Sequence, residues 1–391
     1  MGRNYNNRNY RRGNSNNRRR YNTKKIPREK YISKAEEGYE APSIYAEEKS
    51  YEDYDIISIL KKNVERKGYI HPTKIQNQSI PYILEGKDLL GLASTGSGKT
   101  GAFLIPILDK ISKDRTQKCL IIVPTRELAS QIQDEFKDLS KNTNLYSTLV
   151  IGGQNIRKQI NSIKRDPQFI IGTPGRLKDL YQRHVLKLER FNNIILDEVD
   201  RMLDMGFIPD ITFLVSKLKK DKQALFFSAT MSNAAEKVAN TILNNPVRIQ
   251  VEKESALKNI DQDIVRYKNN QEKFKTLTDL LIKDSFNKVL IFSRTKRGVD
   301  KLTKNLRDDG FRADAIHGNK SQNSRSRALR SFKNNSLDIL VATDVASRGL
   351  DIPNVSHVIN YDEPENFKTY IHRIGRTGRI GKKGNALTFV N

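Results

Sequence analysis

The 391-residue chain has one cysteine, Cys119. No disulfide framework and no cysteine-based zinc site can be built from it. Its setting in Lys118-Cys119-Leu120-Ile121-Ile122-Val123 makes it filling for a buried strand. Such sparing use of cysteine suits a reducing compartment, and a cytoplasmic location is expected. No apolar run approaches the roughly 18 residues of a membrane span, so no membrane partner is expected. Residues 2–25 lack Leu, Ile, Val, Phe and Met altogether. No amphipathic face can form there, which excludes a transit or secretory leader in spite of the arginines. Acids are scarce at this end too. Residues 1–30 hold eleven Lys/Arg against Glu29 alone, +10 of the chain's net +25. A surplus of that size points to a polyanion partner, most often nucleic acid.

The length suits two or three domains. Residues 1–30 are a low-complexity mixture of Asn, Arg, Gly and Tyr with too little apolar mass to fold. Tyr5, Tyr10 and Tyr21 sit among the arginines, and both residue types stack on exposed bases, so the segment reads as a sequence-tolerant RNA tether. A disordered basic tail is expected over 1–48. From Tyr51 onward apolar runs alternate with helical stretches: 88–92, 119–123, 148–151, 169–171, 193–196, 224–227 and 247–250, then 288–292, 313–316, 338–341, 357–360 and 386–390. Near-continuous apolar strands separated by helices indicate parallel sheets covered on both faces. The fold class is therefore α/β, two tandem lobes of RecA-like type. The first is expected over 49–252 and the second over 263–391, joined by a charged linker at 253–262. The last strand ends just before the chain does, so no third domain is expected.

Three motifs carry chemistry. Ala93-Ser94-Thr95-Gly96-Ser97-Gly98-Lys99-Thr100 follows a strand and opens a helix, the context that makes a glycine-rich turn a phosphate loop. Backbone N–H groups and the helix N-terminus favour phosphate there, Lys99 reaches the β/γ-phosphates and Thr100 a Mg²⁺ ion. Ala93 stands where the general pattern has Gly. Asp197-Glu198-Val199-Asp200 ends the run Ile194-Ile195-Leu196, the strand end at which ligands of open α/β sheets gather. Asp197 is suited to hold Mg²⁺ and Glu198 to activate water. Far along the chain, Arg376 and Arg379 are placed to stabilise a transferring phosphoryl group.

These residues and about a dozen further motifs, in order from Tyr51 to Val390, resemble the DEAD-box RNA helicases of helicase superfamily 2. The resemblance implies an RNA-dependent ATPase that separates short duplexes or remodels ribonucleoprotein. Gly68-Tyr69-Ile70-His71-Pro72-Thr73-Lys74-Ile75-Gln76 is similar to the family's adenine-reading motif, which implies that Gln76 bonds the adenine edge and Tyr69 stacks on the ring. Tyr51 stands where the family has an aromatic. The resemblance assigns RNA-backbone contact to Pro124, Thr125, Arg126, Gly153, Thr173, Pro174, Gly175 and Arg176 in the first lobe. In the second it assigns it to Arg294, Gln322, Arg325 and Thr343. It assigns coupling of phosphate state to lobe closure to Asp200, Ser228, Thr230 and His372, and ribose contact to Asp351. Backbone contacts carry no sequence information, so RNA binding is expected to be sequence-independent. Two departures stand out: Val199 replaces the family's Ala, and Ser293-Arg294-Thr295 lacks the Asn that many members have. The stretch 317–322 with Arg325 and Arg327-Ala328-Leu329 is similar to the bacterial RhlE-like subgroup. ATP and Mg²⁺ are the expected cofactors; RNA, including that of ribosomal or ribonucleoprotein particles, is the expected partner. An ATP-gated RNA clamp and a DNA helicase of the same superfamily are the alternatives.

Overall fold

The computed structural model describes residues 26–36, 43–94, 96–251, 256–347, 352, 355–378 and 383–391. The first lobe is built on strands β1 Leu89–Leu92, β2 Cys119–Ile122, β3 Ser147–Val150, β4 Phe169–Gly172, β5 Asn193–Leu196, β6 Gln223–Ser228 and β7 Val247–Gln250. They pair in parallel in the order β3-β4-β2-β5-β6-β1-β7. Successive strand residues face opposite sides of the sheet. Leu225 and Phe227 accordingly enter one core with Phe103 and Phe136, while Ala224 and Phe226 enter the other with Leu120 and Ile194. The central strands are buried on both faces, whereas the edge strands β3 and β7 alternate. Every apolar run expected to be a strand is one.

The second lobe contains β8 Ile260–Arg266, β9 Val289–Phe292, β10 Ala313–Ile316, β11 Ile339–Ala342, β12 His357–Asn360 and β13 Gly384–Val390. Their parallel order is β10-β11-β9-β12-β13-β8. Here the expected boundaries need correction. The linker assigned to 253–262 is shorter, because Ile260 is fully buried and β8 pairs along its whole length with β13. Charged residues at Asp261 and Asp263 hid this edge strand. The tail assigned to 1–48 ends earlier. Ile26 and Tyr31 join the core cluster of Ile260, Tyr370, Ile374 and Val390. Two apolar anchors in a basic stretch suffice when a lobe offers a ready-made groove. Residues 1–25 lie outside the described residues.

The topology sets out the site. The phosphate loop follows β1, Asp197 to Asp200 follow β5, and Ser228 to Thr230 end β6; these strands are neighbours. The residues assigned to RNA in the first lobe follow β2, β3 and β4, the other half of the same sheet. One sheet edge thus divides into a nucleotide half and a nucleic-acid half, split between β5 and β2.

Candidate nucleotide and nucleic-acid site

Helix Lys99–Lys113 starts from Gly98, whose φ of 93° is open to glycine at no cost. Lys99 is 6 % exposed, and its Nζ donates to the carbonyls of Ala93 (2.7 Å) and Ser94 (2.8 Å). Burial pushes its ammonium below the usual lysine range, opposed by the charges of Asp197 and Glu198. Asp197 is 2 % exposed; burial raises its carboxyl to about 7 against the pull of Lys99. Its Oδ1 accepts the Glu198 N–H (2.8 Å). Glu198 takes left-handed backbone angles, φ 54° and ψ 48°, a conformation that costs a non-glycine residue about 1–3 kcal/mol and that clusters at active sites. Its Oε2 accepts from Arg201 Nη1 (2.7 Å), both side chains being buried. Asp200 Oδ2 accepts from Thr230 Oγ1 (3.0 Å), and the Asp200 N–H donates to Ser228 Oγ (3.3 Å). Three of the four expected coupling residues therefore form one network.

The donor set fits Mg²⁺. No group of three or more His, Cys, Asp or Glu capable of holding a metal occurs among the described residues. Mg²⁺ keeps several waters and is bound through one or two carboxylates plus nucleotide phosphates rather than by an all-protein cage. The Asp197 carboxylate and the Thr100 hydroxyl, lining the same cleft, supply that partial set.

At the other end of the cleft, Gln76 is 3 % exposed and almost fully used. Its Oε1 accepts from the Tyr51 hydroxyl (2.6 Å) and the Thr73 N–H (2.8 Å), and its Nε2 donates to the Gly98 carbonyl (3.0 Å). One N–H remains for a base. Pairing with both groups of an adenine edge thus requires the Tyr51 hydroxyl to release Oε1. Gly101 faces the same amide: a Cβ there would lie 2.5 Å from Nε2. Tyr69 stacks on Tyr51 with centroids 6.3 Å apart and donates its hydroxyl to Glu135.

Lys99, Thr100, Asp197, Glu198, Gln76 and Tyr69 line one cleft of about 460 Å³, and Arg376 of the second lobe lines it too. Sequence reasoning missed Tyr45, also in this lining, because it lies outside every motif. Thr95, Asp351 and Arg379 fall outside the described residues.

On the nucleic-acid half, Arg126 lies against Gly152 and Gly153, so close that a Cβ at 153 has no room. Thr125 caps helix Arg126–Leu139, its Oγ1 accepting from Leu128 N–H (3.2 Å). Pro174 opens helix Pro174–Gln182, with Gly175 and Arg176 in its first turn. Arg294 is exposed at the end of β9, and Thr343 is buried after β11. Gln322 and Arg325 depart from expectation. Gln322 Nε2 donates to Glu127 Oε1 (3.2 Å) and Arg325 Nη2 to Glu127 Oε2 (2.8 Å), all three buried. These two side chains join the lobes rather than standing open to a ligand. Lys368 and Asp204 add a second, more exposed bridge at 2.9 Å.

A two-lobed phosphate-loop ATPase with an arginine brought into the nucleotide cleft by the second lobe is the class that this geometry defines. Residues 73–238 match the DEAD/DEAH box helicase family and residues 272–381 the helicase conserved C-terminal domain. The ATP-dependent RNA helicase CshA of Limosilactobacillus reuteri is 46 % identical over 333 residues, covering 85 % of this chain and 67 % of that protein. CshA of Bacillus subtilis is 42 % identical over 343 residues, 87 % of this chain and 69 % of that protein. The chain belongs to the DEAD-box ATP-dependent RNA helicases, a family of RNA-stimulated ATPases. These relatives are CshA proteins, so the expected likeness to the RhlE-like subgroup is not supported. Among solved structures, yeast Dbp5 bound to RNA and ADP BeF3 superposes with a TM-score of 0.77 at 32 % identity, covering 88 % of this chain and 90 % of that one. A DEAD box protein from Methanococcus jannaschii is more identical, 39 %, over 88 % of this chain and 93 % of that one, yet reaches only 0.51. A lower score at higher identity and equal coverage reflects lobe placement. The lobes here are set much as in the Dbp5 complex.

Proposed function

We propose that ATP binds with its base against Gln76 and Tyr69 and its phosphates on the loop Ser94 to Thr100. Thr100 and Asp197 would hold Mg²⁺, which neutralises phosphate charge when bound. Glu198 accepts a proton from the attacking water. Arg376, with Arg379 beside it in sequence, meets the charge that develops on the transferring phosphoryl group. The single observation that carries this reading is the presence of Arg376 in the cleft lined by Lys99, Thr100, Asp197 and Glu198. Catalysis then needs both lobes, and anything that brings them together stimulates it.

RNA is gripped along its backbone by Arg126, Gly153, Thr173 and Arg176 on the first lobe and Arg294 and Thr343 on the second. Arg cations suit phosphate, while hydroxyls and glycine amides permit close approach. Gln322 and Arg325 contribute by holding the lobes closed. Such contacts read no sequence, so the choice of RNA, in ribosomal or other ribonucleoprotein particles, rests on features outside them. The sparing use of cysteine suits action in the cytoplasm.

The test is ATP hydrolysis with no nucleic acid, with single-stranded RNA and with matched DNA, followed by release of a short RNA duplex. Stimulation by RNA alone, with duplex release, is expected. Equal stimulation by DNA would overturn the RNA assignment, and turnover without release would favour a clamp.

A further inference from the structure

Two stretches ahead of the first lobe are anchored on different lobes. Near residue 45 the chain pairs with the base-reading loop: Lys74 N–H donates to the Ile44 carbonyl (2.8 Å) and Ala46 N–H to the Pro72 carbonyl (2.9 Å). Residues 26–36 lie instead on the second lobe. Ser33 and Gln262 exchange backbone hydrogen bonds of 3.0 and 2.7 Å, and Glu36 N–H donates to the Lys258 carbonyl (3.0 Å). Tyr31, 1 % exposed, sets its ring edge-on against Tyr370, 4.9 Å between centroids. Its hydroxyl has no hydrogen-bond partner, so the ring serves through its apolar surface. Tyr370 belongs to helix Phe367–Ile374, whose His372 carbonyl accepts from Arg376 Nε (3.2 Å).

Six residues, 37–42, join the two anchors in the chain. The seven Cα steps from Glu36 to Ser43 reach at most about 25 Å. The interlobe linker arrives at the same place, since Lys258 and Gln262 are its first landing on the second lobe. The chain therefore passes between the lobes twice, and at the second lobe the two passages pair antiparallel.

We propose that Ile26 and Tyr31 are positioning residues for Arg376, the lobe-2 anchor of a strap that makes the interlobe connection a two-stranded hinge. One flexible linker leaves the second lobe free to turn in every direction. A second tie beside it removes most of those orientations from the open state and few from the closed one, so it raises the effective concentration of helix Phe367–Ile374 at the cleft. The proposal rests on the reading of Arg376 as the arginine that meets the phosphoryl group.

The decisive variant carries ten Gly/Ser residues inserted after Gly38. Both anchors stay intact and only the tie between them slackens. RNA-stimulated ATP turnover is measured across RNA concentration. Interlobe distance is measured by energy transfer between dyes at Lys219→Cys and Lys304→Cys, with single-stranded RNA and a non-hydrolysable ATP analogue. Lengthening the tie from six to sixteen residues lowers the effective concentration about four-fold. The RNA concentration for half stimulation is therefore expected to rise about four-fold and the closed fraction to fall, with kcat at saturating RNA held near the parent. Tyr31→Ala is expected to act in the same direction, and Tyr31→Phe to match the parent. Parental RNA dependence and parental energy transfer in the insertion variant would overturn the strap. Arg376→Ala tests the premise separately: full turnover there would overturn the positioning of Arg376, whatever the insertion does to the distance between the lobes.

Discussion

Glu198 is the residue on which the chemistry turns, and its surroundings hold it as a ready anion. Its carboxylate is paired with Arg201 at 2.7 Å, and its backbone is kept in left-handed angles by the short helix Val199–Asp204 that it caps. Glu198→Gln keeps the shape and the ATP contacts but cannot take a proton. Turnover is expected to fall by about 10²–10⁴ while ATP and RNA still bind, and near-parental hydrolysis would remove Glu198 from the role of base. A second residue, His357, reports on the stability of the other lobe. Its ring stacks on Phe286 at 3.7 Å, and burial lowers its pKa to about 4. The folded state keeps the imidazole neutral, whereas the unfolded chain takes up a proton near the ordinary value of about 6.5. This contribution is complete above pH 6.5 and is lost as pH falls from there toward 4. Between pH 7 and pH 5 the melting temperature of the parent is expected to drop further than that of His357→Asn. Parallel drops would show that His357 does not govern this limb.

Between elements, the strongest tie is the one from helix Arg126–Leu139 to helix Gln322–Lys333 through Glu127. The pair is buried only while the lobes are together, so its loss is charged to closure. Glu127→Gln leaves Arg325 without a counter-charge in that state, which typically costs about 2 kcal/mol or more. RNA affinity measured with a non-hydrolysable ATP analogue is expected to fall at least ten-fold while the melting of each lobe is unchanged; unaltered affinity would make the pair incidental to closure. This contact also marks how far sequence reasoning reaches. The strands were legible because Leu225-Phe226-Phe227 and its counterparts are apolar on both faces, and the phosphate loop because its glycines precede a helix. Glu127, Gln322 and Arg325 were recognisable as motif residues, but their pairing depends on how two lobes meet, which no local pattern encodes. The edge strand β8 was obscured for a different reason. One face and one edge of it are covered by few neighbours, so Asp261 and Asp263 are tolerated within it and its apolar signal is thin.

At the scale of the molecule, charge is distributed in a way the lobes alone do not need. Residues 1–25 carry nine Lys/Arg and no acid, and they enter the structure at Ile26, which is buried on the second lobe beside Tyr31 and Tyr370. Whatever these residues bind is thereby tethered to the lobe that must move toward the first. A cut after residue 30 would take Ile26 with it and confuse charge with anchoring, so the informative deletion ends at residue 25. On single-stranded nucleic acid, each neutralised phosphate contributes about 0.7 to the slope of log affinity against log salt. Nine cations acting together would contribute roughly six, and a partial engagement proportionally less. The deletion is expected to weaken RNA binding at low salt and to flatten its salt dependence by several units, while ATP turnover at saturating RNA stays near the parent because the cleft is untouched. A slope equal to that of the full chain would mean that the tail does not touch RNA, and the surplus charge would then have to act through the lobes.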